Sequence, residues 1–404
     1  MTIKVLVVGA GFAGLTCASK LAKSDSIEVT IIDRHPYQLF APLLYQVATG
    51  GLPEDDIAYP VRAAIPGINF VRGEVVRVSP DSKNLRLDDG RIVYYDQLVF
   101  AVGSEGTTFG VPGVAENALQ MKKIREARAI KNRILQTYED VEIGIKPKEA
   151  LRVVVVGGGP TGVEVTGAVS ELQRSMRREF PKTADYASVT LVEAGPRLLP
   201  SFNEKSSAHA KSELEELGAA VKVNASVDRM YPTDVHLKSG EVLSAGTIIW
   251  AAGVAAPKQW SVLGETDRAN RLKVSDTLQL SDDIWVIGDI AHVSVEGDRP
   301  LPMVASVAMQ QGRYVAASIE KLIKGEPLKP FKYKDKGQMA TIGRRRVVVE
   351  LPNGLRLHGT PAWLSWLGLH VFYLAGGRNR VSVIADWFWN YIAWGIGPRR
   401  TVID

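Results

Sequence analysis

Two copies of a strand–glycine-loop–helix pattern predict an α/β protein with two Rossmann-like dinucleotide-binding domains. A tryptophan-rich tail predicts a further C-terminal, membrane-associating segment with amphipathic helices. The first copy is Val5-Leu-Val-Val-Gly9-Ala-Gly11-Phe-Ala-Gly14, and the second is Val153-Val-Val-Val-Gly157-Gly-Gly159-Pro-Thr-Gly162. Each joins a β-branched, apolar run to G-x-G-x-x-G and then to helix-compatible residues, the context a dinucleotide fingerprint needs. The first glycine permits a tight turn, and the second lets a pyrophosphate approach the backbone. The third lets helix and strand pack closely, with the phosphates at the helix N-terminus. One such motif is weak evidence; two in the same context leave a ligand-free glycine turn a poor reading.

Each copy is followed by a second strand ending in an acid. Glu28-Val-Thr-Ile-Ile-Asp33 places Asp33 19 residues after Gly14, and Ser188-Val-Thr-Leu-Val-Glu193 places Glu193 31 residues after Gly162. The longer second gap implies a longer helix or an inserted turn. An acid at this position hydrogen-bonds a ribose 2′-hydroxyl and repels a 2′-phosphate, so Glu193 favours NADH over NADPH. Two cradles need two dinucleotides. The common pairing is one flavin and one nicotinamide, with hydride transfer between them.

Composition narrows the chemistry. Across 404 residues, hydrophobic residues make up 46% and charged residues 23%, an ordinary globular balance that excludes disorder, collagen and coiled coil. Cys17 is the single cysteine, so an internal disulfide, a dithiol redox pair and a multi-cysteine zinc site are excluded. The six histidines lack ligand spacing, and no metal site is expected. Residues 331–404 carry eleven Lys/Arg and four Asp/Glu, whereas the rest of the chain is nearly balanced. This asymmetry points to nucleic acid or an anionic membrane surface. The strand-like run from Ile3 leaves no room for a leader, so a cytoplasmic, reducing compartment is expected.

The tail decides between those partners. Pro361 to Leu374 and Val381 to about Trp394 are apolar and aromatic, separated by Ala375-Gly-Gly-Arg-Asn-Arg380 and stopped by Gly395-Ile-Gly397-Pro398. Arg378, Ser382, Asp386 and Asn390 recur every four residues, giving one polar stripe on a helix. Neither segment reaches the ~20 residues of a membrane span. A strongly apolar helix with tryptophans and flanking Arg378, Arg380, Arg399 and Arg400 fits the membrane interface. Lys332, Lys334, Lys336 and Arg344 to Arg346 add charge for anionic headgroups. Nucleic acid is not expected, because the aromatics sit beside aliphatics at helical spacing rather than in a basic groove.

The chain resembles the two-dinucleotide-binding flavoprotein reductases. Asp96-Gln-Leu-Val-Phe-Ala-Val-Gly103 and Thr247-Ile-Ile-Trp-Ala-Ala-Gly253 look like that superfamily's strand-to-glycine crossings. Ile284-Trp-Val-Ile-Gly288-Asp289 looks like its late Gly-Asp motif. More narrowly, the chain resembles the type II NADH dehydrogenases, the single-subunit NADH:quinone oxidoreductases. Three segments carry this resemblance: Phe40-Ala-Pro-Leu-Leu-Tyr45-Gln46-Val-Ala-Thr49, Gly157 to Glu164, and the tryptophan-rich tail. The family often has a glutamine facing the quinone where this chain has the shorter Ser306, with Gln310 and Gln311 close by. Ala41 stands where many relatives have a polar residue, and nothing in the sequence explains it.

The resemblance implies a ping-pong reaction: a hydride from NADH to N5 of non-covalently bound FAD, then two-electron reduction of a membrane quinone, without proton pumping. It implies catalytic roles for Glu164, Gln46, Ser306 and Gln310. It assigns cofactor contacts to Gly9, Gly11, Gly14, Asp33, Arg34, Tyr45, Thr49, Gly103, Gly157, Gly159, Gly162, Glu193, Gly253, Gly288, Asp289 and Gln311. The FAD domain is expected over 1–112 and 250–330, the NADH domain over 113–249 and the membrane module over 331–404. A respiratory-chain homodimer, peripheral on the cytoplasmic face of the cell membrane, is the expected setting. Two other readings stay open. One is a reductase for a soluble acceptor such as ferredoxin or oxygen; the other is a redox sensor of the apoptosis-inducing-factor type.

Overall fold

The computed structural model describes residues 2–295 and 299–392. Along the chain run helices α1 (Phe12–Leu21), α2 (Leu44–Ala48), α3 (Ile124–Glu142), α4 (Pro160–Met176), α5 (Glu204–Glu216), α6 (Ala305–Ile323), α7 (Gly359–Tyr373) and α8 (Gly377–Ile392), among shorter turns. The chain divides into two compact units. The first holds residues 2–39, 58–105 and 254–335; the second holds 40–57, 106–253 and 336–392.

The first unit is built on a six-stranded sheet in the order Gln279–Ser281, Ile284–Val286, Gln97–Phe100, Ile3–Val8, Ile27–Asp33, Asn69–Arg72. All neighbours are parallel except the first pair. The first strand reads Ile-Lys-Val-Leu-Val-Val with its last four residues buried, as expected for a strand covered on both faces. Helices α1 and α6 meet at Gly312, where a Cβ would lie 2.4 Å from the Ala13 carbonyl oxygen. Trp285 is fully buried and donates its indole N–H to Gln97 Oε1 at 2.8 Å.

The second unit repeats the plan with a five-stranded parallel sheet. Its order is Leu119–Gln120, Thr247–Trp250, Arg152–Val156, Ser188–Val192, Ala220–Lys222. The longer gap before Glu193 is filled by α4, 17 residues against 10 in α1, and by a turn at Ala184–Tyr186. An antiparallel sheet of Gln338–Gly343, Arg346–Glu350 and Arg356–His358 packs on α4. The contact is at backbone distance: a Cβ on Gly167 would lie 1.6 Å from the Ile342 carbonyl oxygen.

The division differs from the sequence expectation chiefly at residues 40–57 and in the tail; the other boundaries shift by seven residues or fewer. Residues 40–57 fold with the second unit, closed by a Phe40 N–H bond to the Ile57 carbonyl at 2.7 Å. The described tail from residue 336 onward also belongs to that unit, because its sheet packs against α4. The break between α7 and α8 covers only residues 374–376, with Gly376 at a φ of +83°. Arg378, Asn379 and Arg380 already lie in α8. Trp394, Gly395, Gly397, Pro398, Arg399 and Arg400 lie outside the described residues. Among the described residues, no helix is long and apolar enough to cross a membrane.

Gly167→Ala should force the strand Gln338–Gly343 away from α4. Overpacking of this kind costs about 1–3 kcal/mol, so the thermal midpoint should fall. A wild-type midpoint would show that this contact tolerates a methyl group.

Candidate functional site

The two glycine loops obey the same steric logic. In the first, Gly9 has a φ of +101° and a Cβ there would lie 2.3 Å from the Ala101 carbonyl oxygen. At Gly14 it would lie 1.9 Å from the Gly9 carbonyl oxygen. In the second, Gly157 has a φ of +112° and a Cβ would lie 2.5 Å from Ala252 Cα. At Gly162 it would lie 1.7 Å from the Gly157 carbonyl oxygen. The middle glycines differ: a Cβ on Gly11 or Gly159 would meet nothing within 4 Å. The outer glycines are therefore required by the protein's own packing, whereas the middle ones border open space. No side chain caps α1 or α4. Open space beside an uncapped helix N-terminus fits a pyrophosphate.

The two acids brace these loops alike. Asp33 accepts the Ala10 N–H and the His35 N–H, each at 2.7 Å. Glu193 accepts the Gly158 N–H at 2.5 Å and the Gly195 N–H at 2.6 Å. Glutamate is one methylene longer, and the space shrinks accordingly. A Cβ on Gly158 would lie 2.9 Å from Glu193 Oε2, and one on Gly195 would lie 3.0 Å from Oε1. With Leu198 Cδ2 at 2.7 Å from the same Gly158 Cβ position, the second loop reads Gly-Gly-Gly where the first reads Gly-Ala-Gly. Arg34, next to Asp33, pairs with Glu74 at 3.3 Å on the surface.

In the first unit, Gly103 (φ +73°) leaves open space where a Cβ would stand. Gly288 (φ +77°) turns the chain ahead of Asp289, and Asp289 Oδ2 accepts the Ser104 hydroxyl at 2.6 Å. Gln311 is buried, and its amide oxygen accepts the Gly288 N–H at 2.6 Å. Gln311 thus shapes the Gly-Asp turn. Gln310 donates to the Ser306 and Lys334 carbonyls and accepts the Lys334 N–H. Its amide groups bind backbone. Ser306 Oγ lies 3.2 Å from the Tyr333 hydroxyl. Cys17 is completely buried, and burial pushes its thiol far up from its ordinary range. It is a packing residue.

The second unit gathers Tyr45, Gln46, Thr49, Gly157, Gly159, Gly162, Glu164, Glu193 and Gly253. Gly253 accepts the Thr107 N–H at 3.2 Å, and a Cβ on it would touch the Phe109 ring at 2.7 Å. Thr49 closes α2, its hydroxyl donating to the Tyr45 carbonyl at 3.0 Å. Gln46 donates to the Tyr45 hydroxyl at 2.8 Å and accepts the Trp387 indole N–H at 2.8 Å. Glu164 keeps part of its surface exposed, but its carboxyl lies among protein atoms. Burial pushes that carboxyl up to about 8, against a smaller opposing effect of the Thr341 N–H. The group is an acid that still holds its proton at neutral pH.

The sequence reading missed several residues here: Ser104, Thr341, Tyr333, Asn379 and the inward role of Trp387. Each acts on a partner far along the chain, and only Trp387 carried a local signal, as one of the tail's tryptophans. On α7 the buried residues are Ala362, Trp366 and His370, at intervals of four. On α8, Asn379, Val383 and Trp387 are buried. The outer faces are apolar, with Phe372 70%, Val381 69%, Phe388 66% and Trp389 63% exposed, beside Leu364, Leu369 and Ile384. The polar stripe read from the sequence does not simply face water: Asn390 turns to the chain and donates to the Gly51 carbonyl at 2.9 Å.

Comparison with known proteins agrees with this arrangement. The family described as pyridine nucleotide-disulphide oxidoreductase matches residues 3–312. The type II NADH:quinone oxidoreductase NdhA of Mycobacterium tuberculosis is 35% identical, over 95% of this chain and 86% of that protein. The type II NADH:quinone oxidoreductase of Staphylococcus aureus is 33% identical, over 84% of this chain and 87% of that protein. Among solved structures, NDH2 from Plasmodium falciparum in complex with NADH superposes with a TM-score of 0.90 at 23% identity, covering all of both chains. The sulfide:quinone oxidoreductase of Aquifex aeolicus does so at 0.76 and 18% identity, over 97% of this chain and 95% of that one. At these identities the two superpositions speak for the fold.

Glu164 gives a pH test. Its carboxyl titrates near the ordinary carboxylate value when unfolded and near 8 when folded. The folded state therefore binds the extra proton between those values, and this contribution to stability is lost as pH rises towards 8. Glu164→Gln cannot ionise. Its melting temperature relative to wild type should climb from pH 5 to pH 8 and then level off. A difference independent of pH would contradict the raised value.

Proposed function

This chain belongs to the type II NADH:quinone oxidoreductase family, and from that premise we infer that it oxidises NADH and reduces a membrane quinone by way of FAD. The observation that carries this reading is the pair of glycine cradles, each open at its middle glycine and braced by its own acid. We assign the first unit to FAD, held through Gly9, Gly11, Gly14, Asp33, Gly103, Gly288 and Asp289. The second unit takes NADH through Gly157, Gly159, Gly162, Glu193 and Gly253. When bound, FAD supplies two-electron chemistry, accepting hydride from NADH and passing the electrons to a quinone.

The chain's own groups do the rest. Asp33 and Glu193 fix the loops that receive the phosphates. The uncapped starts of α1 and α4 present partial positive charge to those phosphates. Glu164 holds a proton near neutral pH, which suits delivery to a quinone oxygen. Tyr45 and Gln46 face the acceptor. With Cys17 buried and no second cysteine, disulfide exchange has no nucleophile here.

The acceptor follows from the tail. Apolar side chains exposed on α7 and α8 suit the headgroup–acyl boundary, and the exposed Arg378 and Arg380 at the start of α8 suit anionic lipid. A quinone is lipid-soluble, so its reductase gains from sitting there. The protein is then peripheral, on the cytoplasmic face of the cell membrane. It moves electrons without translocating protons, and pairs as a homodimer that leaves this face to the bilayer.

An anaerobic experiment tests the reading. Adding NADH should bleach the flavin absorbance band of the purified protein, and a short-chain quinone should restore it. Bleaching without restoration by quinone would move the function to a soluble acceptor or a redox sensor. A protein that takes up no FAD would end the cradle argument.

A further inference from the structure

Helix α8 turns its hydrogen-bonding side chains toward residues 40–57. Asn379 donates to the carbonyls of Asp55 and Asp56, each at 3.0 Å. Asn390 donates to the Gly51 carbonyl at 2.9 Å. Between them, the Trp387 indole lies 2.8 Å from Gln46 Oε1. An aromatic cluster backs this grip. Trp387 packs on Trp366 with ring centres 5.5 Å apart, Trp366 stacks on His370 at 4.1 Å, and His370 meets the edge of Phe40 at 6.0 Å. Burial holds His370 down to about 4, so the cluster is uncharged at neutral pH.

The direction of these bonds is determined. An indole nitrogen donates and cannot accept. The atom of Gln46 beside Trp387 is therefore the amide oxygen, and the amide nitrogen must face Tyr45, where it donates to the hydroxyl oxygen at 2.8 Å. In this pair the Tyr45 hydroxyl is the acceptor and Gln46 the donor. A hydroxyl that accepts one hydrogen bond becomes a stronger donor of the next. Without the indole N–H, the amide could turn over and the order of donors would be lost.

We propose that Trp387 is the positioning residue of the Tyr45–Gln46 pair. From α8 it fixes the Gln46 amide, so that the helix facing the lipid and the loop facing the acceptor move as one body. This rests on the reading that Tyr45 and Gln46 face the acceptor. The outer face of α8 carries Val381, Ile384, Phe388 and Trp389. A lipid surface that seats those residues thereby also seats Gln46. Coupling of this kind is reciprocal.

Trp387→Phe keeps a ring in the cluster and removes the donor. After anaerobic reduction, the ratio of the quinone rate to the NADH rate should fall roughly fivefold, the size of one lost hydrogen bond. A purely structural defect would slow both steps together and leave the ratio in place. Gln46→Ala should lower the ratio by a similar factor, and the double variant should fall no further than Gln46→Ala alone. Amide hydrogen exchange over residues 44–52 should also quicken in Trp387→Phe. If that variant does not fold, Asn390→Ala, which releases Gly51 and spares the aromatic cluster, should show the same quickening. A wild-type ratio, or losses that multiply in the double variant, would overturn the positioning role. If wild-type protein is not reoxidised by quinone, the functional reading falls instead. The exchange rates then still decide whether Trp387 holds the loop.

Discussion

Backbone carbonyls must find partners, and those of Gly51, Asp55 and Asp56 find theirs on α8. The Asp56 carbonyl is buried, and leaving it unpaired would cost about 1–3 kcal/mol; the part-buried bonds to Asp55 and Gly51 add to the tie between residues 40–57 and this helix. The short helix α2 is too brief to be stable by itself. Its place depends on that grip, on the Phe40–Ile57 closure and on packing against α3 and α4. The inner face of α8 meets these polar demands and buries Val383 and Trp387, while Val381, Ile384, Phe388 and Trp389 lie on the outer face. One helix thereby holds the loop on one face and leaves an exposed apolar face on the other.

The tail acts on the second glycine loop in the same way. Its strand Gln338–Gly343 reaches α4 only because Gly167 has no side chain. That approach brings the Thr341 N–H to Glu164, and the enclosure keeps the carboxyl protonated. The tail thus shapes two candidate acceptor-side groups of the second unit, the Glu164 carboxyl and the Tyr45–Gln46 pair. Family membership, shown by relatives at 33–35% identity over most of their length, accords with a tail that is part of the machinery.

What was legible in the sequence was local. The glycine loops could be read because the turn and the Gly14–Gly9 and Gly162–Gly157 approaches act within six residues, although Gly9 and Gly157 also abut the distant Ala101 and Ala252. The longer helix before Glu193 could be read from spacing. The uses of Gln310 and Gln311 could not, since their partners Lys334 and Gly288 lie 24 and 23 residues away. The period of four in α8 revealed a stripe but not the side on which its partner lay. Residues 375–380 read as a break because they are rich in glycine and arginine. Asn379 is nevertheless helical, held by carbonyls more than 320 residues earlier. Trp387 and Gln46 are 341 residues apart, and no local pattern joins them.

The central claim is that the outer face of α8 lies in a lipid surface while the inner face holds the loop. Its most direct test uses the chain's single cysteine. Cys17 is buried, so a cysteine introduced at an exposed site is the reactive thiol. A polarity-sensitive fluorophore on Phe388→Cys should brighten and shift to the blue when vesicles containing anionic lipid are added. The same label on Val242→Cys, an exposed site on the Val242–Ser244 strand of the second unit, should not respond. A silent label at 388, or an equal response at 242, would contradict the account.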